Sequence, residues 1–356
     1  MSVNNKNNPK IAVIGCGNWG KNLMRVLHQL GALCAVCDTD PNKADDFSKQ
    51  YQVPALSFHN ILSMPEVDGI VIATPSTTHF ELGMTALKAN KHIFIEKPLA
   101  LRAQHAQSLH QLAKQQRKIV MVGHLLQYHS VFNTLKKLKQ DGVLGQLQTI
   151  YCNRLNFGKF RSEESVLWDY APHDVSMTLA LVGDMPNQVS AVSANHLDHT
   201  SVDSARIHLH FESNIQAHLF VSWLYPFKEQ KMIVVGSKAM AVFDDCQLWE
   251  NKLMLSPYPA EWVDGLPRPF PYAGEKVIIE RSEPLQNECS HFLDCIRENL
   301  QPKTNAIEGC NVLTVLEAAS QSMATRLPVN LPYPAEQGIS KQADIPLSEV
   351  VLEGTL

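Results

Sequence analysis

The chain has no surplus of positive charge: 31 Lys and Arg against 35 Asp and Glu leave a formal net charge of −4 over 356 residues. The basic footprint that nucleic-acid binding needs is therefore missing. Nor does any apolar run approach the ~18 residues that cross a bilayer. The opening stretch MSVNNKNNPK is polar and lacks the apolar core of a secretory leader, so a cytoplasmic protein with no nucleic-acid or membrane partner is expected. Clustered metal ligands are scarce as well. Eight cysteines are scattered along the chain, and only Cys34 and Cys37 have a redox or zinc spacing. Both fall inside an expected strand, where positions three apart point to opposite faces, which makes them packing residues. Of fifteen histidines, His196-x-x-His199 and His208-x-His210 are suggestive, yet no cysteine or acid at liganding spacing accompanies them. No metal is expected.

What is present starts at Lys10. An apolar run, Ile11 to Ile14, leads into Gly15-x-Gly17-x-x-Gly20, and a helix-compatible stretch follows at once. In a strand–turn–helix unit the first glycine permits the tight turn, the second lets backbone approach a pyrophosphate, and the third lets helix pack on strand. Free N–H groups at the helix start then face the phosphates. A second apolar run, Ala32 to Cys37, ends in Asp38, 18 residues after Gly20, close to the roughly 20-residue offset at which an acid meets the adenosine ribose. An acid there repels a 2′-phosphate. The expected cofactor is NAD.

Helices are expected over Asn42 to Gln50, Phe80 to Ala89 and Ala103 to Gln115, alternating with strands at Val67 to Ala73, His92 to Ile95 and Ile119 to Val122. That alternation predicts an α/β domain over residues 1–123, a Rossmann-type doubly wound parallel sheet. Ligands bind where such strands end, so Gly15, Asp38, Thr74, Glu96 and His124 should line one rim. Glu96-Lys97-Pro98 sits on it. An ammonium at a strand end, ahead of a stiffening proline, is suited to hold a substrate hydroxyl beside a nicotinamide; a surface lysine in a turn is the plainer reading.

Beyond residue 124 the pattern changes. In SARIHLHFE, residues 204–212, Ile207, Leu209 and Phe211 share one face and Arg206, His208, His210 and Glu212 the other. Asn214-Ile215 offers a tight turn into an antiparallel partner, Ile215 to Leu224, and similar runs occupy Gln146 to Leu155, Gln188 to His196, Met232 to Val235 and Ala239 to Phe243. Residues 124–356 thus read as an α+β domain with a large, mostly antiparallel open sheet, helices on one face. Between two strands lies Leu167-Trp168-Asp169-Tyr170-Ala171-Pro172-His173-Asp174. Pro172 fits a first helical turn, which puts Asp169 just ahead of the helix and His173 inside its start. A carboxylate beside an imidazole orients it and favours its protonated form, as proton transfer from an alcohol requires. The alternative is an N-terminal cap by Asp169 or Asp174.

These motifs, Gly15-x-Gly17-x-x-Gly20, Thr74-Pro75 with His79, Glu96-Lys97-Pro98, Gly123-His124 and Asp169-x-x-x-His173, resemble in order and spacing those of the glucose-fructose oxidoreductase, inositol dehydrogenase and MocA family. The resemblance covers about the first 240 residues. It implies a nicotinamide-binding domain followed by a domain whose open sheet forms a homodimer or homotetramer. Catalysis would fall to Lys97, which orients the hydroxyl, His173 as acid/base, and Asp169, which positions histidine and substrate. The cofactor would meet Gly15, Gly17, Asn18, Trp19, Gly20, Asp38, Thr74, Pro75, His79, Glu96 and Lys97. Substrate would meet Lys97, His124, Arg154, Asp169 and His173. The stretch GNWGKNLMRVLHQLGAL looks like the subgroup that includes UDP-N-acetylglucosaminuronate 3-dehydrogenases, and Arg154, Lys159 and Arg161 are candidates for a diphosphate or uronate carboxylate. The expected activity is NAD-dependent hydride transfer from a secondary hydroxyl of a sugar or nucleotide sugar. Inositol or a free sugar is the competing substrate; an NAD-dependent glycosidase and a non-catalytic dinucleotide-binding regulator are the competing classes.

Overall fold

The computed structural model describes residues 8–158, 160, 164–197, 201–257, 260–269 and 274–332. They divide into two compact units. In the first, strands β1 (Ile11–Ile14), β2 (Leu33–Cys37), β3 (Gly69–Ile72), β4 (His92–Glu96) and β5 (Val120–Gly123) alternate with helices α1 (Gly20–Gln29), α2 (Pro41–Tyr51), α3 (Phe58–Ser63), α4 (His79–Lys88) and α5 (Ala103–Gln116). The sheet is parallel throughout, in the order β2-β1-β3-β4-β5. Its strands are short apolar runs buried on both faces, as helices on either side require. The expected elements are present, with no end shifted by more than two residues. Cys34 and Cys37 lie in β2, partly and fully buried, and burial pushes the Cys34 thiol up to about 11. Both are packing residues, as their strand position predicts.

The second unit contains α6 (Ser130–Gln140), β6 (Leu147–Leu155), α7 (Val166–Val182), β7 (Gln188–Ala194), β8 (Ser204–His210), β9 (Gln216–Ser222), β10 (Glu229–Gly236), β11 (Ala239–Asp244) and β12 (Leu253–Pro257). A hairpin of β13 (Ala260–Val263) and β14 (Leu266–Pro269) and the short β15 (Glu275–Lys276) follow. Then come α8 (Pro284–Glu298), α9 (Ala306–Thr325) and β16 (Val329–Asn330). Among the described residues the large sheet has nine strands in the order β15-β12-β11-β10-β6-β9-β8-β7-β16. It is antiparallel except for the β6–β9 pair. Asn214, at φ 59°, makes the expected tight turn between β8 and β9. One face buries Ile150, Ile207, Leu209, Leu219 and Val234, with α6 and α7 packed against it. On the opposite face Tyr151 and Val192 are 44% and 62% exposed. Beside them Arg206 lies 4.5 Å over the Phe220 ring, and His208 and His218 meet Nδ1 to Nδ1 at 2.6 Å.

The chain is not divided at residue 124 once and for all. Residues 283–313, which hold α8 and the start of α9, belong with the nucleotide-type unit. The reason is visible in β4, whose successive side chains point to opposite faces. A Cβ on Gly83 of α4 would meet Ile93 and Ile95, whereas Phe94 packs on Phe292 of α8 with ring centroids 5.8 Å apart. α8 is the cover for a sheet face that the first 125 residues leave partly unfilled. No helix among the described residues is long and apolar enough to cross a membrane.

Candidate active site

The glycine turn is shaped by contacts that only glycine permits. Gly15 has φ +99°, and a Cβ there would lie 2.6 Å from the Ala73 carbonyl oxygen; at Gly20 it would lie 1.8 Å from that of Gly15. Gly17 differs. A Cβ there would meet nothing within 4 Å, and Gly17, Asn18 and Trp19 are exposed. Side chains cap α2 and α3, through Asp40 and Ser57, but none caps α1. A helix start with exposed backbone and no side-chain cap fits the pyrophosphate of a dinucleotide. At the end of β2, Asp38 accepts the Cys16 N–H at 2.6 Å and the Asp40 N–H at 2.8 Å. Its carboxylate is thereby anchored to the glycine turn, in the position that suits ribose hydroxyls. Asp40 is spent on capping Asn42 and on a 3.7 Å ion pair with Lys43.

Further along the rim His79 is 1% exposed, with Nδ1 2.8 Å from the Pro98 carbonyl and Nε2 2.9 Å from that of Thr74. A neutral ring donates to one carbonyl and an imidazolium to both. His79 thus ties the Thr74-Pro75 turn to the turn that carries Lys97, from behind both of them, with Thr74 and Thr78 hydroxyls 2.7 Å apart alongside. The Lys97-Pro98 peptide is cis, and the Lys97 N–H donates to the Glu96 side chain at 3.2 Å. Burial pushes the Glu96 carboxyl up to about 7 against the opposing pull of Lys97.

His124, read from sequence as a substrate contact, is 1% exposed, and its Nδ1 lies 2.6 Å from Glu308 of α9. Arg154, the other expected substrate contact of this kind, is also engaged within the protein. Its Nε and Nη2 donate to the two oxygens of Asp174 at 3.0 and 2.7 Å, and both residues are buried. A buried bidentate pair of this kind holds β6 to α7 and leaves the guanidinium poorly placed for a ligand. Lys159 and Arg161 lie outside the described residues. So does His199.

In the second unit α7 begins at Val166, with Ser165 before it, so Pro172 is in the helix interior and not in its first turn. That moves Asp169 and His173 inside the helix, where residues four apart share a face. Asp169 is 6% exposed and donates its own N–H to the Ser165 carbonyl as an ordinary helical residue. The capping alternative fails for both acids, since Ser165 occupies the cap position and Asp174 is bound to Arg154. Sequence reasoning missed Glu308 and read Asp174 only as a possible cap, because their partners are 184 and 20 residues away. It also missed Glu288, whose signal was legible: the apolar stripe Leu285, Cys289, Phe292, Leu293 of α8 has a glutamate in its middle. Among the described residues no group of three or more His, Cys, Asp or Glu could hold a metal ion.

With this geometry in hand, known proteins give a consistent result. Residues 9–124 match the oxidoreductase family with the NAD-binding Rossmann fold, and residues 132–242 match the Gfo/Idh/MocA C-terminal domain. The chain belongs to the Gfo/Idh/MocA oxidoreductase family. Two similar relatives show the range of chemistry within it. UDP-N-acetylglucosamine 3-dehydrogenase of Acidithiobacillus ferrooxidans is 26% identical over 305 residues, 85% of this chain and 94% of the relative. scyllo-Inositol 2-dehydrogenase (NADP(+)) of Bacillus subtilis is 24% identical over 299 residues, 77% and 81%. A solved structure of the Acidithiobacillus enzyme superposes with a TM-score of 0.76 at 25% identity, covering 88% of this chain and 96% of that one. This Gfo/Idh/MocA oxidoreductase therefore has its Gly15–Gly20 turn, Asp38 and Glu96-Lys97-Pro98 on the rim of a dinucleotide-binding sheet.

Proposed function

We propose that this oxidoreductase uses NAD to oxidise, reversibly, a secondary hydroxyl of a nucleotide sugar, with C3 of a UDP-N-acetylglucosamine or its uronate as the first candidate. The observation that carries the reading is the placement of Asp169 and His173 on one face inside α7, where neither has capping work to do. The bound dinucleotide supplies a hydride acceptor. The chain supplies the rest. His173 takes the hydroxyl proton, Asp169 orients the imidazole and favours its charged form, and the Lys97 ammonium holds the oxygen as negative charge develops there. The similarity to a UDP-N-acetylglucosamine 3-dehydrogenase over most of both chains favours the nucleotide sugar over free sugars and inositol. The proposal also has the chain assemble as a homodimer or homotetramer through the open sheet face.

The test is NADH absorbance on mixing enzyme and NAD with UDP-N-acetylglucosaminuronate, UDP-N-acetylglucosamine, myo-inositol and glucose. Turnover with a UDP-sugar well above that with the others supports the reading. Turnover confined to inositol or glucose would overturn the substrate assignment, and no NADH with any compound would overturn the dehydrogenase itself.

A further inference from the structure

Glu288 is 1% exposed on the apolar stripe of α8, and its Oε1 has no hydrogen-bond partner. It stands one helical turn before Phe292, which packs on Phe94; Glu96 stands two residues after Phe94, on the same face of β4. The two carboxyls are thus brought toward each other on one side of the sheet, at the end of the strand. Glu96 is tucked against Gly123 of β5, its register partner, where a Cβ would come within 3.0 Å of its Oε2. Facing the pair are the Lys97 ammonium and backbone, the His124 imidazole bound to Glu308, the Cys289 thiol, and Lys303 beyond the end of α8. Two carboxylates cannot both ionise in such a place without large cost.

The strand order fixes which half of a dinucleotide meets this pair. β2 with Asp38 lies on one side of β1, so the adenosine half goes there, and the other half extends over the ends of β3, β4 and β5. Glu96 ends β4. Resting on the dinucleotide reading above, we propose that Glu96 and Glu288 form a coupled carboxyl pair that balances the charge of the nicotinamide: Glu288 keeps its proton throughout, while Glu96 releases its proton to solvent when the oxidised, cationic ring is bound and takes one back from solvent beside the reduced, neutral ring. Burial and the neighbouring Glu96 charge hold Glu288 well above the usual carboxylate range, and burial brings Glu96 to about 7. A group titrating there is about half protonated at pH 7, so oxidised cofactor should release up to about half a proton per site and reduced cofactor should release none.

Calorimetric titration of the whole chain with NAD and with NADH, in buffers of different ionisation enthalpy at pH 7, counts those protons. The expected result is a release with NAD that is absent with NADH and is lost in Glu96→Gln. Glu288→Gln, which replaces a neutral acid by a neutral amide, should keep the difference. Difference infrared spectra of the unliganded protein at pH 9 should show the carbonyl stretch of a protonated carboxyl, and the same substitution should remove it. Equal proton counts for the two cofactors, or a difference that survives in Glu96→Gln, would overturn the linkage while leaving dinucleotide binding intact. An infrared band absent at pH 9 would overturn the role of Glu288. Failure of both dinucleotides to bind would sink the cofactor reading together with this one.

Discussion

At the scale of single residues, the division of labour between Lys97, Asp169 and His173 is open to kinetics. His173→Ala should lower kcat by roughly 10²- to 10⁴-fold with NAD affinity nearly unchanged, because acid/base catalysis contributes about that much. Lys97→Ala should impair KM and kcat together, since a positioned charge and a donor are lost at once. Asp169→Asn should fall between wild type and His173→Ala and move the pH optimum. Steady-state kinetics with NAD titration of each variant decides; near-normal kcat in His173→Ala would end the proposed mechanism. Cofactor choice is a second residue-scale matter. Asp38, anchored by two backbone N–H groups, cannot swing away from a 2′-phosphate, so NADP should bind more weakly than NAD. Lys43 sits close enough to Asp40 to soften that field, and Asp38→Ser should narrow the preference. Tighter binding of NADP to the wild type, measured by fluorescence titration, would remove the argument.

At the scale of elements, the strands of the first 123 residues and every helix but the six-residue α3 were legible because each apolar run is short, buried on both faces and followed by turn residues. β8 and β9 were equally plain from strict alternation. What sequence could not show was which element covers which. Pro172 illustrates the limit: proline favours a first turn, yet the preceding Val166 to Ala171 continue the helix because Val166, Leu167 and Ala171 are needed in the core. Tertiary burial overrode a local preference. Arg154 and His124 looked free for ligands for the same reason, as their acids lie on other elements. β4 offers an element-scale prediction. His92 at its start accepts the Ile119 N–H at 3.1 Å, and burial, helped by Lys118, lowers its pKa to about 4 from 6.5. The unfolded chain therefore takes up that proton first, so the His92 contribution to stability is full above pH 6.5 and is lost as pH drops toward 4. The carboxyls of Glu96 and Glu288, which burial pushes up, act in the opposite sense over this range, so the measure is a difference: in thermal melts from pH 6.5 to about 5, before most carboxylates titrate, the Tm of the wild type should fall relative to that of His92→Gln. A variant with the same slope would assign the loss to other groups.

For the whole molecule, the open face of the nine-stranded sheet is where assembly should occur. A sheet face that exposes Tyr151 and Val192 beside Phe220 and a histidine pair is costly to leave in water. Sedimentation at micromolar concentration should show an oligomer, and Val192→Glu with Tyr151→Glu should shift it toward monomer with the fold intact by circular dichroism. A wild-type monomer would refute the interface.

The return of α8 to the first unit bears on how the chain is made. A ribosome releases residues 1–125 long before residues 283–313, so the nascent nucleotide-type unit must wait, with the Phe94 side of its sheet uncovered, while residues 126–282 of the second unit are synthesised. The first unit thus gains its cover only after most of the second has been made. Residues 1–125 expressed alone should collect in the insoluble fraction, and the same segment joined by a flexible linker to residues 283–313 should be recovered soluble and bind NAD. An isolated 1–125 fragment that is soluble and melts cooperatively would show that this sheet face needs no such cover.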